Sequence, residues 1–473
     1  MKKLSIRTIH LLMLTVLCLG SVANAQIIAG GGSHSLFLCT SDSTVFATGE
    51  NTFGQIGDNT TTKRTLPVSV TGLTGVIAVT AGGVEGGGFT NIAGGHSLAL
   101  KSDGTVWSWG CNSYGMVGDN TTTDRHSPIQ ILTLSGITQI SAKGASTFAL
   151  KNDSTVWSWG WNIFGQLGDS STTDRHAPVQ VHVLTGVKAI SAGGYHGMAL
   201  MPDSTVWTWG FNGRGQLGDS TTNDSHVPIH VTRITGVVAI AGGGNHCLAL
   251  RSDSTLWAWG NNTDGEIGDN TTTDRWVPTQ VPGLTDIVAI SAGWQSSYAV
   301  KSDGTVWAWG VGSFGELGNG TTPIQSNVPV QVTISGITDI ASGEYHCLVV
   351  KNDGSFWSWS RNEAGELGLG DTLDRSTPVQ LATICSPTIV NEVASQFSAS
   401  VFPNPAHNIL NITLPSSAQN ATLIIHDVLG REICTQKLQE ANTNLNVSLW
   451  TKGVYFYQIS NKNKTALGKF VIQ

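Results

Sequence analysis

Four histidines, His96, His196, His246 and His346, stand at whole multiples of 50 residues from one another, with His34 close to the same place. A ring of imidazoles facing one axis could hold a metal ion. The simpler role is a backbone hydrogen bond within each histidine's own unit, because Ser146 and Ser296 fill the position elsewhere, and no metal is expected. Glu266, Glu316 and Glu366 share the same spacing, where three of the four earlier copies have glutamine. Three carboxylates in register could bind a cation or act as acid and base on a glycan; Gln-to-Glu drift on a solvated loop is the preferred explanation. No H-E-x-x-H, G-x-S-x-G or C-x-x-C grouping occurs, so no catalytic residue is assigned and the chain is not expected to be an enzyme. Gly310-Val311-Gly312-Ser313-Phe314-Gly315 matches G-x-G-x-x-G but lacks the helix and βαβ frame of a dinucleotide site, so no cofactor is expected. What remains is a set of aromatic and basic side chains at loop positions: Trp161, Phe164, Phe211 and Arg214, with Tyr195, Trp294 and Tyr345 near the repeat histidine. Such side chains serve a protein-binding hot spot or a sugar-stacking platform; equally, they could plug a central channel or cover sheet edges.

The elements that must carry these residues are repeats. The segment AGGHSLALKSDGTVWSWG recurs six more times, and its turn aspartates are Asp42, Asp103, Asp153, Asp203, Asp253, Asp303 and Asp353. The last six are 50 apart, and an insertion ending at Gly94 lengthens the first gap to 61. Strand signals alternate with Gly-rich and polar loops, and no 3.6-residue periodicity occurs. Seven such units imply an all-β, closed seven-bladed propeller. Read as a two-residue turn, Asp103-Gly104 sets Leu100 opposite Trp107 and Leu98 opposite Trp109, giving each sheet a bulky face and a small face. Bulky faces would stack on small ones, with the Trp-x-Trp pairs in the core and their indole N–H groups needing acceptors. Phe46 and Thr48 replace the tryptophans in the first unit.

Only 12% of the 473 residues are charged, while 57 are glycine and 16 tryptophan, which excludes a disordered polyelectrolyte. Lys2, Lys3 and Arg7, an apolar run 9–19 and Ala23-Asn24-Ala25 read as a signal peptide over 1–25. No later segment reaches 18 apolar residues, so no transmembrane segment is expected. From 26 to 385 there are 16 basic and 28 acidic residues, a net −12 that repels phosphate backbones and argues against nucleic acid. Of the cysteines, Cys247 and Cys347 are two units apart, too far to bond, whereas Cys39 with Cys385 could staple the ring closure.

The order HSLAL–DGTVWSWG–N–GQLGD–PVQV, clear in 153–181 and 203–231, resembles the regulator of chromosome condensation family of seven-bladed propellers over roughly 27–383. The family also contains exported bacterial propellers, some of which inhibit secreted enzymes, so the resemblance implies the fold and leaves the partner open. After a linker at 386–400, residues 401–473 resemble the C-terminal sorting domain of type IX secretion cargo. That resemblance rests on Pro403-Asn404-Pro405, Asp427-Val428-Leu429-Gly430, Gly453-Val454-Tyr455 and the end around Lys469. It implies a small Ig-like sandwich, passage through the periplasm, contact with the type IX machinery, and a secreted or surface address. The expectation is a monomeric surface module that binds protein or glycan; an enzyme acting on polysaccharide or cell wall, or a secreted enzyme inhibitor, is the alternative.

Overall fold

A computed structural model describes residues 26–84, 94–382, 384–385, 399–415, 421–427, 432–461 and 464–472. The signal peptide, most of the insertion, the linker and part of the 427–430 hairpin lie outside them. Two compact units divide between Cys385 and Ser386. No described helix is long and apolar enough to cross a membrane.

In the first unit each repeat forms one four-stranded antiparallel sheet whose strands follow each other in sequence order. Seven such blades span 28–69, 76–130, 137–180, 189–230, 237–280, 287–331 and 337–380. First strands meet at the ring axis, where their ends bond to one another, as in Gly83 N to Gly144 O (2.6 Å) and Gly194 N to Gly243 O (2.9 Å).

The pairing register differs from the expected one by one residue. Strands Gly94–Lys101 and Val106–Gly110 pair Leu100 with Val106, Ala99 with Trp107 and Ser97 with Trp109. The turn has three residues, not two: Lys101 N bonds to Thr105 O (3.0 Å) and Gly104 N to Lys101 O (2.9 Å), with Gly104 at φ +77°. Asp103 Oδ1 draws this loop closed by accepting the amide and hydroxyl of Thr105. A single added loop residue moves every partner to the opposite face. Blades 2 to 6 therefore have a Trp/Ala face and an aliphatic face, blade 7 has Val349 beside Trp357, blade 1 has Phe46 and Thr48 in place of the tryptophans, and consecutive blades stack unlike faces. Leu98, Leu100 and Val106 of blade 2 pack on Ala149 and Trp159 of blade 3. Within each Trp-x-Trp pair the second ring is fully buried, whereas the first is only half-buried; Trp107, Trp257 and Trp357 lie beneath Lys101 (5.0 Å), Arg251 (5.8 Å) and Lys351 (5.2 Å).

The buried indoles and the histidines bind blades together. Trp109 Nε1 donates to Gln55 O of the preceding blade (2.9 Å), and Trp159, Trp209, Trp259, Trp309 and Trp359 do likewise. The histidines reach the next blade through side chains, which corrects the expectation of a backbone tie within one unit. His34, His96, His246 and His346 lie 2.9 Å from Ser97, Thr147, Ser297 and Ser35 hydroxyls, and His196 lies 3.1 Å from Cys247 Sγ. Ser97 Oγ already donates to Gln55 O (2.8 Å), so His34 Nε2 must be the donor, and burial, which lowers the imidazole to about 4, keeps the ring neutral. Where serine replaces histidine at Ser146, the facing residue is Gly197, so the partner is lost along with the histidine.

Blade 7 closes on blade 1 without a shared strand. The seam holds Ile28, Phe37, Leu348 and Phe356, the His346–Ser35 bond, and a Cys39–Cys385 disulfide with Cα atoms 5.2 Å apart. Cys111, Cys247 and Cys347 are free and buried, and Cys434 is half-buried.

The second unit pairs a three-stranded sheet (Ser400–Phe402, Ile409–Thr413, Asn442–Asn446) with a four-stranded one (Glu432–Leu438, Ala421–Asp427, Gly453–Asn461, Lys464–Ile472). Alternating Leu410, Ile412, Leu423, Ile425, Ile459 and Phe470 form its core.

Candidate functional site

Two sets of loops converge at one mouth of the ring. The first links the third strand of each blade to the outer strand, and in every blade but the sixth, which has Gly312, an asparagine staples it from within. Asn162 Oδ1 accepts Leu167 N (2.9 Å), while Nδ2 donates to Asp169, Ser171 and Thr173. Loop side chains not used by this staple are free to vary. The second set joins the two inner strands at the axis. It is Gly31-Gly32, Gly193-Gly194 and Gly243-Gly244 in three blades, but it carries Lys143, Trp294 and Glu344 in others.

The structure brings five of the expected residues into one aromatic cluster. Trp161 contacts Phe164 (5.5 Å) and Tyr195 (5.8 Å), Phe164 contacts Phe211 (4.7 Å), and Tyr195 contacts Trp294 (5.4 Å). Cys111 and Met116 complete the cluster. Trp161 and Tyr195 are 5% and 2% exposed and underlie the surface, so alanine at either costs stability; Phe164, Phe211 and Trp294 are half-buried. Arg214 does not join them. It is exposed and turns to blade 5, with Nη1 3.4 Å from Asp274 Oδ2. Tyr345 belongs to a second group with Phe314 (5.8 Å), where Arg361 lies over both rings at 5.3 and 5.7 Å.

Glu266, Glu316 and Glu366 are not on a solvated loop: they are at most 1% exposed. Each Oε2 accepts the backbone N–H two residues earlier, from Asp264, Phe314 and Ala364 (2.8–2.9 Å), as Gln166 Oε1 does for Phe164. Burial pushes these carboxyls up to about 8, 7 and 7. Among the described residues no group of His, Cys, Asp or Glu is arranged to hold a metal ion.

Lys143 and Glu344, which sequence reasoning passed over, close the axis. Lys143 Nζ donates across the ring to Ala292 O, and burial lowers its ammonium to about 8. Burial raises Glu344 to about 8, against the opposing pull of Lys143. The glycines at matching positions were the available signal, because a charged side chain among them has only the axis to occupy.

A model of the RCC1-like domain matches residues 84–336, over half of the chain. The chain belongs to the RCC1-like domain family. Models of the regulator of chromosome condensation (RCC1) repeat match 42–84 and 337–366, and a secretion system C-terminal sorting domain matches 400–473. Over 116 residues the chain is 31% identical to the probable E3 ubiquitin-protein ligase HERC4 of Rattus norvegicus, covering 24% of this chain and 10% of that protein. Ultraviolet-B receptor UVR8 of Arabidopsis thaliana matches at 31% over 114 residues (24% and 23%). Funoran endo-beta-hydrolase of Wenyingzhuangia aestuarii matches at 32% over 88 residues (18% and 12%). These matches span less than a quarter of each relative. Among solved structures, Prp20p of Saccharomyces cerevisiae aligns with TM-score 0.63 at 22% identity, covering 77% of this chain and 90% of that one. Human WBSCR16 aligns with TM-score 0.63 at 22%, covering 72% and 94%. Both establish the fold alone.

Proposed function

We propose that this RCC1-like propeller is a secreted binding module, exported by type IX secretion through its sorting tail and acting through the mouth lined by Phe164, Phe211, Trp294 and Tyr345. One observation carries the binding role. At loop positions that the asparagine staple leaves unconstrained, the chain concentrates ring systems on one face and holds them rigidly in mutual contact. Rigid aromatic groups on a fixed scaffold lose little entropy when they bind.

A second reading, an enzyme acting on polysaccharide, draws support from the short funoran hydrolase match. Against it, Glu266, Glu316, Glu344 and Glu366 are at most 4% exposed, too deep to meet a scissile bond from solution. Release of new reducing ends from a polysaccharide by the purified protein would favour the enzyme.

Two experiments test the main reading. Deleting 401–473 should leave folded propeller in the periplasm and none at the surface; normal display of the truncated form would defeat the sorting assignment. The double change Phe164→Ser and Phe211→Ser should abolish binding of the labelled protein to its extracellular target while the near-ultraviolet spectrum stays native. Undiminished binding would move the site elsewhere.

A further inference from the structure

The mouth changes character around the ring. In blades 3 and 4 its loop positions hold Trp161, Phe164, Tyr195 and Phe211 with Arg214, whereas the equivalent positions of blade 5 hold Asn245, Asn261 and Asp264, and blade 6 adds Gln295 before turning apolar at Val311 and Phe314. This polar row is preorganised. Gln295 Nε2 donates to Asp264 Oδ2 (2.6 Å), Gln216 Nε2 to Asn245 Oδ1 (3.3 Å), and Thr263 Oγ1 to Asn261 Oδ1 (2.9 Å). Asn245, Asp264 and Gln295 are half-exposed, so their remaining hydrogen-bonding capacity faces solvent. The two sectors meet where Trp294, against Tyr195, precedes Gln295 in the chain.

Among the described residues, Gln166 Nε2 in blade 3 and Glu316 Oε1 in blade 6 are buried on these loops without a hydrogen-bond partner. Their counterpart in blade 4, Gln216, spends its second arm on Asn245. Asp264 sets a carboxylate in this polar row, held by Gln295 Nε2 beside the aromatic wall.

We propose that this mouth binds a saccharide that bears no negative charge, its ring laid on Phe211 and Trp294 and its hydroxyls held by Asn245, Asp264 and Gln295. A pyranose has this pair of surfaces: an apolar face of C–H groups and a rim of hydroxyls that pair with planar amides and carboxylates. A protein partner would need apolar anchors that insert into pockets, but here the largest rings, Trp161 and Tyr195, are already covered. The half-exposed Asp264 carboxylate disfavours uronic or sulfated sugars and favours an amino sugar over a neutral one. This inference rests on the reading of the propeller as a binding module and specifies its ligand class.

The test is calorimetric titration of the full mature chain with cellohexaose, a glucosamine hexamer and a galacturonate hexamer. The glucosamine hexamer should bind tightest and weaken with salt, cellohexaose should bind more weakly without salt dependence, and galacturonate should not bind. Asp264→Asn should erase the preference for glucosamine, and Phe211→Ala should weaken both sugars at least ~10-fold, as expected of a stacking contact. Galacturonate binding as well as cellohexaose, or sugar binding indifferent to both variants, overturns the inference. If no sugar binds but extracellular target binding is still lost with Phe164→Ser and Phe211→Ser, the saccharide inference fails and the binding reading stands. If neither occurs, both fail.

Discussion

At the residue scale, two sets of buried ionisable groups set opposing limits on pH. The five repeat histidines are neutral in the fold, pushed down by burial to about 4 for His34 and about 3 for the others. The unfolded chain takes up those protons near 6.5, so stability falls as pH drops from about 6.5 toward 3. Glu266, Glu316 and Glu366 act in the opposite sense. Unfolded, they lose protons near 4.5; folded, they hold them to about 7–8, so stability falls as pH rises through that interval. Blades 1, 3 and 4 show that glutamine fits the same place, at Gln55, Gln166 and Gln216. The triple change Glu266→Gln, Glu316→Gln and Glu366→Gln should therefore stabilise the propeller at pH 8, on the order of 1–3 kcal/mol per site, and much less at pH 5. Denaturant titrations at the two pH values measure this; an equal gain at both would mean that the carboxyls are already ionised in the fold. The sequence displayed the glutamates but not their burial, because Gln-to-Glu exchange looks the same on a solvated loop as on one folded against the next blade.

At the element scale, the blade depends on one buried indole. Trp209 is fully buried, donates to Gln166 O (2.9 Å), and packs with Phe148, Val156 and Ala199 between blades 3 and 4. A Cβ on the facing Gly197 would lie 2.3 Å from this ring, so a side chain there would have to displace it, although Ser97, Thr147 and Cys247 face the equivalent rings of other blades. Trp209→Ala should cost about 3–5 kcal/mol in equilibrium unfolding; a loss below about 1 kcal/mol would show that the seam refills by relaxation. The strands, their number and the second tryptophan's burial were legible from periodicity alone. The register was not, because Asp-Gly serves both two-residue and three-residue turns. Ser154, Ser204 and Ser254 hold the Gly104 position at φ between +61° and +68°. That is one left-handed residue per turn, as a three-residue loop requires, and a type I′ turn would need two. The aromatic cluster was legible as variation between units. Arg214 was misplaced because its partner, Asp274, lies 60 residues away on the next blade.

At the scale of the whole molecule, the ring must stay closed although its first and last blades share no strand. Six seams join blades that are consecutive in the chain, so opening one of them costs little more freedom than a loop allows. The seventh joins residues 346 apart; packing and hydrogen bonds, among them His346–Ser35, Ser35 Oγ to Glu366 O and Gly370 N to Thr65 O, hold it together with the Cys39–Cys385 disulfide, its one covalent tie among the described residues. A crosslink over so long a loop removes more unfolded-chain entropy than any other single feature here, on the order of 4–6 kcal/mol in the chain-entropy model. Such a bond forms in an oxidising compartment, consistent with the route that the sorting tail implies. The double change Cys39→Ser and Cys385→Ser should therefore lower the thermal midpoint and also change the order of unfolding. Amide exchange should rise first in His34–Cys39 and His346–Lys351, on either side of the open seam, while His246–Arg251 keeps its protection. Loss spread evenly over all seven blades would mean that the propeller melts as one unit and the disulfide only adds to its global stability. Unchanged exchange at the seam would mean that blade packing alone closes the ring.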